Sequence, residues 1–209
     1  MITKSQYLAN PCRAASLPYW KAKSMVLPEK ILIVHDDDFR PSEYAQYTDE
    51  PYFRLFHRLK HLSSPQMPEG FCLCDIALKE FADHINSCYD DIGVSEAELH
   101  RYTMRPVYDA ALWIALQDRE SGAVAATGIA ELDKETGEGI LEWIQVSQAY
   151  RGRGLGCYLV YELLWRMRDA ADFATVSGQC GNPSNPERLY RACGFTGTDV
   201  WHILRKSLV

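Results

Sequence analysis

One stretch decides the fold of this 209-residue chain: residues 139–156, with the sequence GILEWIQVSQAYRGRGLG. It joins an apolar strand pattern to a glycine-rich turn, and the turn leads directly into an amphipathic helix pattern. The first backbone N–H groups of a helix have no partner within the helix, and with the helix dipole they favour a bound anion. The stretch therefore predicts a strand, a loop and a helix start that together hold an anionic group.

The elements around this stretch predict an α/β fold of the α+β type, with a mixed, mostly antiparallel central sheet flanked by helices. Short polar turns join three strands before the glycine-rich loop, which implies an antiparallel meander. A helical crossover then leads to a strand parallel to the one before it. The predicted strands cover residues 108–116, 123–132, 140–146 and 173–177, and a last pair lies near Phe195 and over 200–204.

Two helices in this part of the chain have clear start signals. Ser95 with Glu98 three residues later is a capping box, and Asn185 followed by Pro186 is an N-cap before a first helical proline. The second helix is expected to end at Gly194, because glycine readily adopts the left-handed conformation that follows a helix. We therefore expect short helices on both sides of the predicted sheet.

The first 68 residues are predicted to form an N-terminal appendage that packs on a main domain of residues 69–209. The boundary follows from the proline-rich and serine-rich segment 63–70. Within the appendage, residues 31–34 predict a strand. After Asp49 and Pro51, apolar residues at helical spacing predict a helix, with His57 and His61 as two surface histidines on it. The apolar positions of that helix are Leu55, Phe56, Leu59 and Leu62.

Composition excludes several classes of function. The net charge of −6 gives no general attraction to nucleic acid or to anionic lipid. No run of residues approaches the ~18 apolar residues that a membrane span needs. Seven cysteines, an odd number without metal-ligand spacing, favour reduced thiols. We expect a cytoplasmic protein that binds no metal, nucleic acid or membrane.

The glycine-rich turn differs from two common nucleotide-binding loops. Its glycines, Gly152, Gly154 and Gly156, do not have the spacing of a dinucleotide-binding fingerprint. A P-loop requires Lys and then Ser or Thr after its last glycine, and here Cys157 and Tyr158 occupy those positions. What remains is a loop with flanking arginines that suits a pyrophosphate.

Two motifs in this order resemble the GNAT superfamily of N-acetyltransferases. The segment Arg151–Gly156 matches the family's Arg/Gln-x-x-Gly-x-Gly/Ala pyrophosphate loop. The segment Leu189–Phe195 is similar to its Leu-Tyr-x-x-x-Gly-Phe segment. The resemblance covers roughly residue 70 to the C-terminus. It implies a sheet whose fourth and fifth strands splay apart, here residues 140–146 and 173–177, to admit acetyl-CoA.

By this resemblance, acetyl-CoA is the acyl donor, held mainly by backbone groups. The strand segment would pair with the pantetheine and the thioester carbonyl, and the loop would hold the pyrophosphate. Many family members also carry an asparagine seven residues before the motif's tyrosine; here that position is Pro183, so Asn182 or Asn185 is expected to take the contact. The implied cofactor-binding residues are Ile144, Gln145, Val146, Arg151, Gly152, Arg153, Gly154, Leu155, Gly156, Asn182 and Asn185.

The implied reaction is direct attack of a primary amine on the thioester. An alkylamine is mostly protonated at neutral pH, so a base must first take a proton. Glu142 is the expected base, with Glu131 and Asp133 as alternatives; the competing interpretation of Glu142 is a charged residue on an outward strand face. Tyr190 occupies the family's general-acid position, although a core tyrosine is the structural alternative.

The amine acceptor is not specified by the sequence. Small amines, polyamines, antibiotics and protein amino groups all fit, and the net charge only slightly favours a cationic small molecule. A homodimer is compatible with the resemblance. The alternative function is a non-catalytic acyl-CoA sensor, with an amine pocket filled by the N-terminal arm and its residues Tyr19 and Trp20.

Overall fold

The computed structural model describes residues 2–89 and 92–206. Within these residues eight strands form a mostly antiparallel sheet flanked by helices, which confirms the predicted fold class. The helices are α1 (Lys4–Ala9), α2 (Pro11–Ala14), α3 (Tyr19–Ala22), α4 (Leu78–Cys88), α5 (Glu96–Thr103), α6 (Leu155–Met167) and α7 (Pro186–Ala192). The strands are β1 (Ile31–His35), β2 (Tyr47–His57), β3 (Phe71–Cys74), β4 (Trp113–Asp118), β5 (Val124–Asp133), β6 (Glu138–Val146), β7 (Phe173–Gln179) and β8 (Thr196–Lys206).

The chain divides into two compact units, and the segment 58–174 forms the second of them. Its strands lie in the order β6-β5-β4-β3, and each is antiparallel to its neighbour. Helices α4 and α5 bury Phe81, Ile85 and Leu99 against Ile129 of the sheet. The predicted strands at 123–132 and 140–146 are thereby confirmed as β5 and β6.

In this unit the predicted start of helix α5 is confirmed, whereas the predicted start of strand β4 is wrong. The capping box of α5 is present, because Ser95 accepts the backbone N–H of Glu98 at 3.2 Å. The strand predicted from residue 108 begins only at Trp113, because residues 110–112 form one turn of 3₁₀ helix that Asp109 caps through the N–H of Ala111. The predicted start was therefore wrong by five residues.

The first unit combines the two ends of the chain, residues 1–57 and 175–209. Its strands lie in the order β1-β8-β2-β7. Strand β8 is antiparallel to both neighbours, with Leu32 opposite Leu204 on one side and Tyr52 opposite Trp201 on the other. The strand predicted at 31–34 is confirmed as β1, and the N-terminal residues contribute a central strand as well as three short helices.

The helix predicted after Asp49 is wrong, because residues 47–57 form strand β2. Phe53 and Leu55 are buried, at 2% and 0% exposure, and His57 is 8% exposed. These three positions lie on one face of the strand, and Arg54 is buried on the other face at 2% exposure, so this part of the strand is covered on both faces. The predicted surface location of His57 is wrong for the same reason.

The predicted strand pair at the C-terminal end is also wrong, because one strand, β8, runs from Thr196 to Lys206. Its pairing with β2 shifts between Arg54 and Phe56, where β8 carries one more residue than β2. Gly197 lies at this irregularity with a φ of +125°, a conformation that favours glycine.

Candidate active site

The loop before α6 has the conformation that its glycines allow. Gly152 and Gly154 have φ values of +79° and +81°, in the left-handed region that other residues adopt at a cost. A Cβ atom added at either position would meet no heavy atom within 4 Å. The backbone conformation therefore requires glycine here, and the space above the loop is open to a ligand.

Helix α6 begins with donors available at its end. Gly154 is the N-cap and provides no side-chain cap, and its carbonyl accepts the N–H of Tyr158 at 3.0 Å. The N–H groups of the first turn therefore precede the first helical hydrogen bond and point out of the helix. An anion at this end gains both these donors and the helix dipole.

Two arginines flank the same loop. Arg151 is exposed, and its Nε donates to the carbonyl oxygen of Val146 at 3.3 Å, which holds the side chain along the end of β6. The guanidinium of Arg153 lies 5.4 Å from the ring centre of Tyr150. Cationic side chains beside backbone donors suit a diphosphate better than either feature alone.

Glu142 lies at an irregular point of β6. Ile129 of β5 faces Trp143, whereas the next residue, Ala130, faces Leu141, so Glu142 is the extra residue of a β-bulge. A bulge changes the direction of the side chain that it carries. Glu142 is half-buried. The predicted binding segment follows directly: Ile144 and Val146 are half-buried, and Gln145 is buried at 4% exposure.

The two alternative bases have other structural partners. Glu131 is 2% exposed, and its Oε1 lies 2.5 Å from Nη1 of Arg105. Burial acts to lower the pKa of Arg105, but the Glu131 carboxylate raises it overall. Asp133 is 4% exposed, and its Oδ1 accepts the N–H of Glu135 at 2.9 Å. Both carboxylates are buried, whereas Glu142 is half-buried, so Glu142 is the more accessible candidate.

A buried polar network lies beside the predicted binding segment. His84 of α4 contacts Thr127 Oγ1 through Nδ1 at 2.9 Å and Ser147 Oγ through Nε2 at 2.8 Å. Gln145 Nε2 donates to the same Thr127 hydroxyl. Burial lowers the pKa of His84, so the ring is neutral at pH 7 and donates through only one nitrogen. The network connects α4 to the residue that begins the loop.

Sequence interpretation missed this network. His84 lies on the apolar face of α4, between Phe81 and Ile85, and Thr127 lies within an otherwise apolar strand. A polar residue on a core face was the only signal. It does not identify a partner, because the contact joins residues more than forty positions apart.

The remaining predicted residues lie in the first unit. Asn185 has a left-handed φ of 48° and caps α7 by accepting the N–H of Arg188 at 3.3 Å. Asn182 Oδ1 accepts the backbone N–H and the hydroxyl of Ser184, at 2.9 and 2.7 Å. The amide oxygens of both asparagines thus shape the turn before α7.

Tyr190 lies on α7 and is 7% exposed. Its ring centre is 6.2 Å from that of Phe53 and 5.9 Å from that of Phe195. These contacts fix the position of the ring within the first unit. The helix itself has the predicted start, with Asn185 as N-cap and Pro186 as the first residue.

In residues 2–89 and 92–206, no group of three or more His, Cys, Asp or Glu side chains is arranged to hold a metal ion. Over the same residues, none of the helices combines the length and apolar character that crossing a membrane requires.

A family model for the GNAT acetyltransferase domain matches residues 109–197. The match includes the bulge at Glu142, the loop at 151–156 and Tyr190. A search of curated protein sequences finds no match.

Solved structures with the same fold are distant in sequence. A GCN5-related N-acetyltransferase from Sphaerobacter thermophilus is 19% identical, with a TM-score of 0.66, over 86% of this chain and 61% of that one. A GCN5-related N-acetyltransferase from Kribbella flavida is 19% identical, with a TM-score of 0.55, over 86% and 68%. A tandem GNAT protein from the clavulanic acid biosynthesis pathway is 14% identical, with a TM-score of 0.60, over 82% and 61%.

The chain thus spans 61% of the length of the Sphaerobacter thermophilus protein and 61% of the length of the tandem GNAT protein. The matched domain, the two sequence motifs and the sheet agree with one another. Residues 109–197 match the GNAT acetyltransferase domain, and the chain shares the fold of these solved structures.

Proposed function

We propose that this protein is an N-acetyltransferase that moves an acetyl group from acetyl-CoA to a primary amine by direct attack. The observation that carries the proposal is the loop at 151–156. Its two left-handed glycines leave open space, and it leads into a helix start that no side chain caps. These are the features that a CoA pyrophosphate requires from backbone donors.

The residues around the loop fit the rest of this donor. Arg151 and Arg153 supply positive charge, and the backbone of Ile144, Gln145 and Val146 is proposed to hold the pantetheine. Asn182 or Asn185 is proposed to add a polar contact. In each side chain the amide oxygen already accepts a hydrogen bond within the turn, so the amide nitrogen is the atom proposed to make this contact. When bound, acetyl-CoA supplies an activated thioester.

Glu142 is proposed to take the proton that the attacking amine loses, because the bulge directs a half-buried carboxylate out of the regular strand pattern. Tyr190 is proposed to donate its hydroxyl proton to the departing sulfur. A thiol with a pKa of about 8.5 is a fair leaving group, so this second transfer is expected to contribute less than the first.

A thermal-shift titration with acetyl-CoA and with CoA tests donor binding. A ligand that binds only the native state stabilises it by about 2.7 kcal/mol at 100 times its dissociation constant. Absence of any shift with both compounds would refute acyl-CoA binding. Release of free thiol across a panel of primary amines then tests transfer, and binding without release for any amine would support the non-catalytic sensor instead. A homodimer and a cytoplasmic location remain predictions, to be tested by sedimentation and by cell fractionation.

A further inference from the structure

Strand β1 forms one edge of the sheet in the first unit, and among residues 2–89 and 92–206 no strand pairs with its outer side. Its first four residues, from Ile31 to Val34, are all apolar. Leu32 is 37% exposed, and the other three are half-buried. Edge strands usually avoid association through charged residues, proline or a bulge, and these four residues pair with β8 in an unbroken register without any of these devices. The strand is therefore open to pairing with another strand.

The hydrogen bonds between β1 and β8 show which backbone groups of β1 point outward. The carbonyl oxygen of Lys30, just before the strand, accepts the N–H of Lys206 at 2.9 Å. In an antiparallel pair, alternate residues bond the neighbouring strand. The even-numbered residues from Lys30 to Val34 therefore bond β8, whereas the backbone groups of the odd-numbered residues from Ile31 to His35 point away from it.

Two of the outward groups already have partners in the same chain. The Ile31 N–H donates to the Pro28 carbonyl at 2.9 Å. His35 is the N-cap of the 3₁₀ turn at 36–38, so its carbonyl accepts the first hydrogen bond of that turn. The other outward groups are the carbonyl of Ile31, both groups of Ile33 and the N–H of His35, and in the described part of the chain they have no partner.

This pattern of used and unused groups is complementary to a second copy of itself. When two β1 strands pair antiparallel about a twofold axis at Ile33, the two Ile33 residues exchange both of their hydrogen bonds. Each His35 N–H then donates to the Ile31 carbonyl of the other copy. The groups that are already used, the Ile31 N–H and the His35 carbonyl, face each other and need no further partner. All the unused groups of the edge are thereby satisfied.

The side chains agree with the same register. It places Leu32 opposite Val34 of the other copy in a non-hydrogen-bonded pair, where side chains approach closely. Beyond that pair it places Lys30, which is exposed, opposite Asp36, whose side chain is 62% exposed. Oδ1 of Asp36 lies 3.1 Å from Nε2 of His202, so Oδ2 is the atom proposed to meet the lysine. The twofold axis repeats this contact between opposite charges at both ends of the paired strands.

Strand β3, the edge strand of the second unit, lacks these properties. Its carbonyl at Phe71 already accepts Nε of Arg119 at 2.9 Å. The charged residues nearest its two ends, Glu69 and Asp75, are both acidic. Two β3 strands in antiparallel contact would therefore bring like charges together, which disfavours pairing.

The two faces of β1 have different neighbours. In the ladder, Ile33 lies opposite Ile203 and His35 opposite Trp201, and these two residues of β8 line a cavity of about 200 Å³ in the first unit. The odd-numbered side chains of β1 therefore lie on the face of the sheet that carries the cavity. Lys30 lies on the other face, so the contact between opposite charges can be altered without changing the cavity lining.

We propose that two copies of this chain associate through β1, pairing antiparallel about Ile33 so that the sheets of the two first units become continuous. One short strand from each copy makes the contact, so the association is expected to be weak and to depend on protein concentration. It is independent of the proposed acetyl transfer.

Sedimentation velocity of the full chain between about 2 and 200 µM tests this association, and the wild-type chain is expected to shift from monomer to dimer over the range. Lys30→Asp and Asp36→Lys each place like charges at both ends of the paired strands. Each variant is expected to weaken self-association by about tenfold. An equimolar mixture of the two variants has opposite charges at both ends again, and is expected to associate as the wild type does.

Lys60→Asp and Asp169→Lys, at exposed residues of the second unit, are the charge-matched controls and are expected to associate as the wild type does. Circular dichroism verifies that each variant is folded. A wild-type chain that stays monomeric over the whole range would overturn the proposal. Undiminished self-association of Lys30→Asp, or a mixture that does not recover association, would overturn it as well.

A change at Ile33 tests the backbone hydrogen bonds. Ile33→Pro removes the N–H at the twofold axis, and an edge strand accepts proline where its N–H faces solvent. This variant is expected to lose dimer formation over the same range. Ile33→Ala keeps the N–H and is expected to retain association within severalfold. Wild-type association of a folded Ile33→Pro variant would contradict the pairing, and the charge exchange tests the same contact without altering the backbone.

Discussion

The two compact units contrast in how their strands find partners. In the second unit, β4, β5 and β6 follow one another along the chain and pair in that order. In the first unit, β8 pairs with β1 and β2, which lie more than 130 residues earlier, and residues from both chain ends line its cavity. Local sequence therefore describes the second unit well and the first unit poorly.

The contrast extends to the polar groups of each unit. The second unit carries the loop that is proposed to hold an anion, where open space surrounds Gly152 and Gly154. The first unit encloses its guanidinium, with Arg54 held by hydroxyl groups from α1 and β7. Backbone donors on a loop are visible as a motif, whereas a hydrogen-bond network between side chains of distant segments is not.

The largest expected effect tests whether β2 belongs to the core of the first unit. Phe53→Ala removes a 2%-exposed ring that packs on Tyr190, and it is expected to lower the free energy of unfolding by about 3–5 kcal/mol. Urea denaturation measures the loss. Hydrogen exchange is expected to show reduced protection in β8 as well as in β2, because the two strands share backbone hydrogen bonds.

Leu32→Ala in the edge strand β1 is the control for this variant. Leu32 is 37% exposed, so its truncation is expected to cost less than about 1 kcal/mol. A loss of similar size for both variants, or protection unchanged in β8, would contradict the assignment of β2 to the core.

The next effect tests the chemistry assigned to the second unit. Glu142→Gln is expected to lower turnover by about 10²-fold, or 2.7 kcal/mol, with little change in acetyl-CoA affinity, because an amide cannot accept the amine proton. The defect is expected to shrink as pH approaches the pKa of the amine, which then needs no base. Glu120→Gln, in an exposed turn of the same unit, is the control. A pH-independent defect would indicate a structural role for Glu142.

A smaller effect is expected at the loop. Gly154→Val places a β-branched residue at a φ of +81° and is expected to weaken acetyl-CoA binding by about tenfold, or 1.4 kcal/mol, by displacing the backbone donors. Gly137→Val provides the matched control, since Gly137 has a φ of +68° in the turn before β6, at the end of that strand opposite the loop. Both variants are expected to lose stability, but only Gly154→Val is expected to lose affinity.

The smallest effect is the dependence of stability on pH. Burial lowers the pKa of His84 below its usual value of 6.5, so below about pH 6.5 the unfolded chain binds more protons than the folded one. The free energy of unfolding is therefore expected to fall as the solution is acidified from pH 7. His84→Gln is expected to flatten this slope, whereas His61→Gln, at an exposed histidine, is expected to preserve it. An identical slope in all three proteins would refute the contribution of His84.

Much of the second unit could be predicted from sequence because its signals are local. The capping box at Ser95, the turns between strands and the glycine loop each specify their own structure within a few residues. The bulge at Glu142 could not be predicted, because the register of β6 depends on its partner β5. The burial of Glu131 with Arg105 depends in the same way on a contact across the fold.

The first unit shows what local patterns miss. Leu55, Phe56, Leu59 and Leu62 have helical spacing, yet pairing with β8 selects the alternation of Phe53, Leu55 and His57 instead. Tertiary pairing outweighs a weak helical preference in such short segments. Arg54 was hidden for the same reason, since its burial follows from the strand and not from its neighbours in sequence.

The place of β2 between β7 and β8 also has a consequence for synthesis. About 140 residues separate the end of β2 from the start of β8. At about 5–20 residues per second, a ribosome needs roughly 7–28 s to make them. During this interval β8 has not yet been made, so the backbone of β2 lacks this hydrogen-bonding partner and the apolar side chains of Phe53 and Leu55 lack their native packing. The emerging chain is therefore most exposed to misassociation at its earliest strands, and the first unit closes only when β8 has left the ribosome.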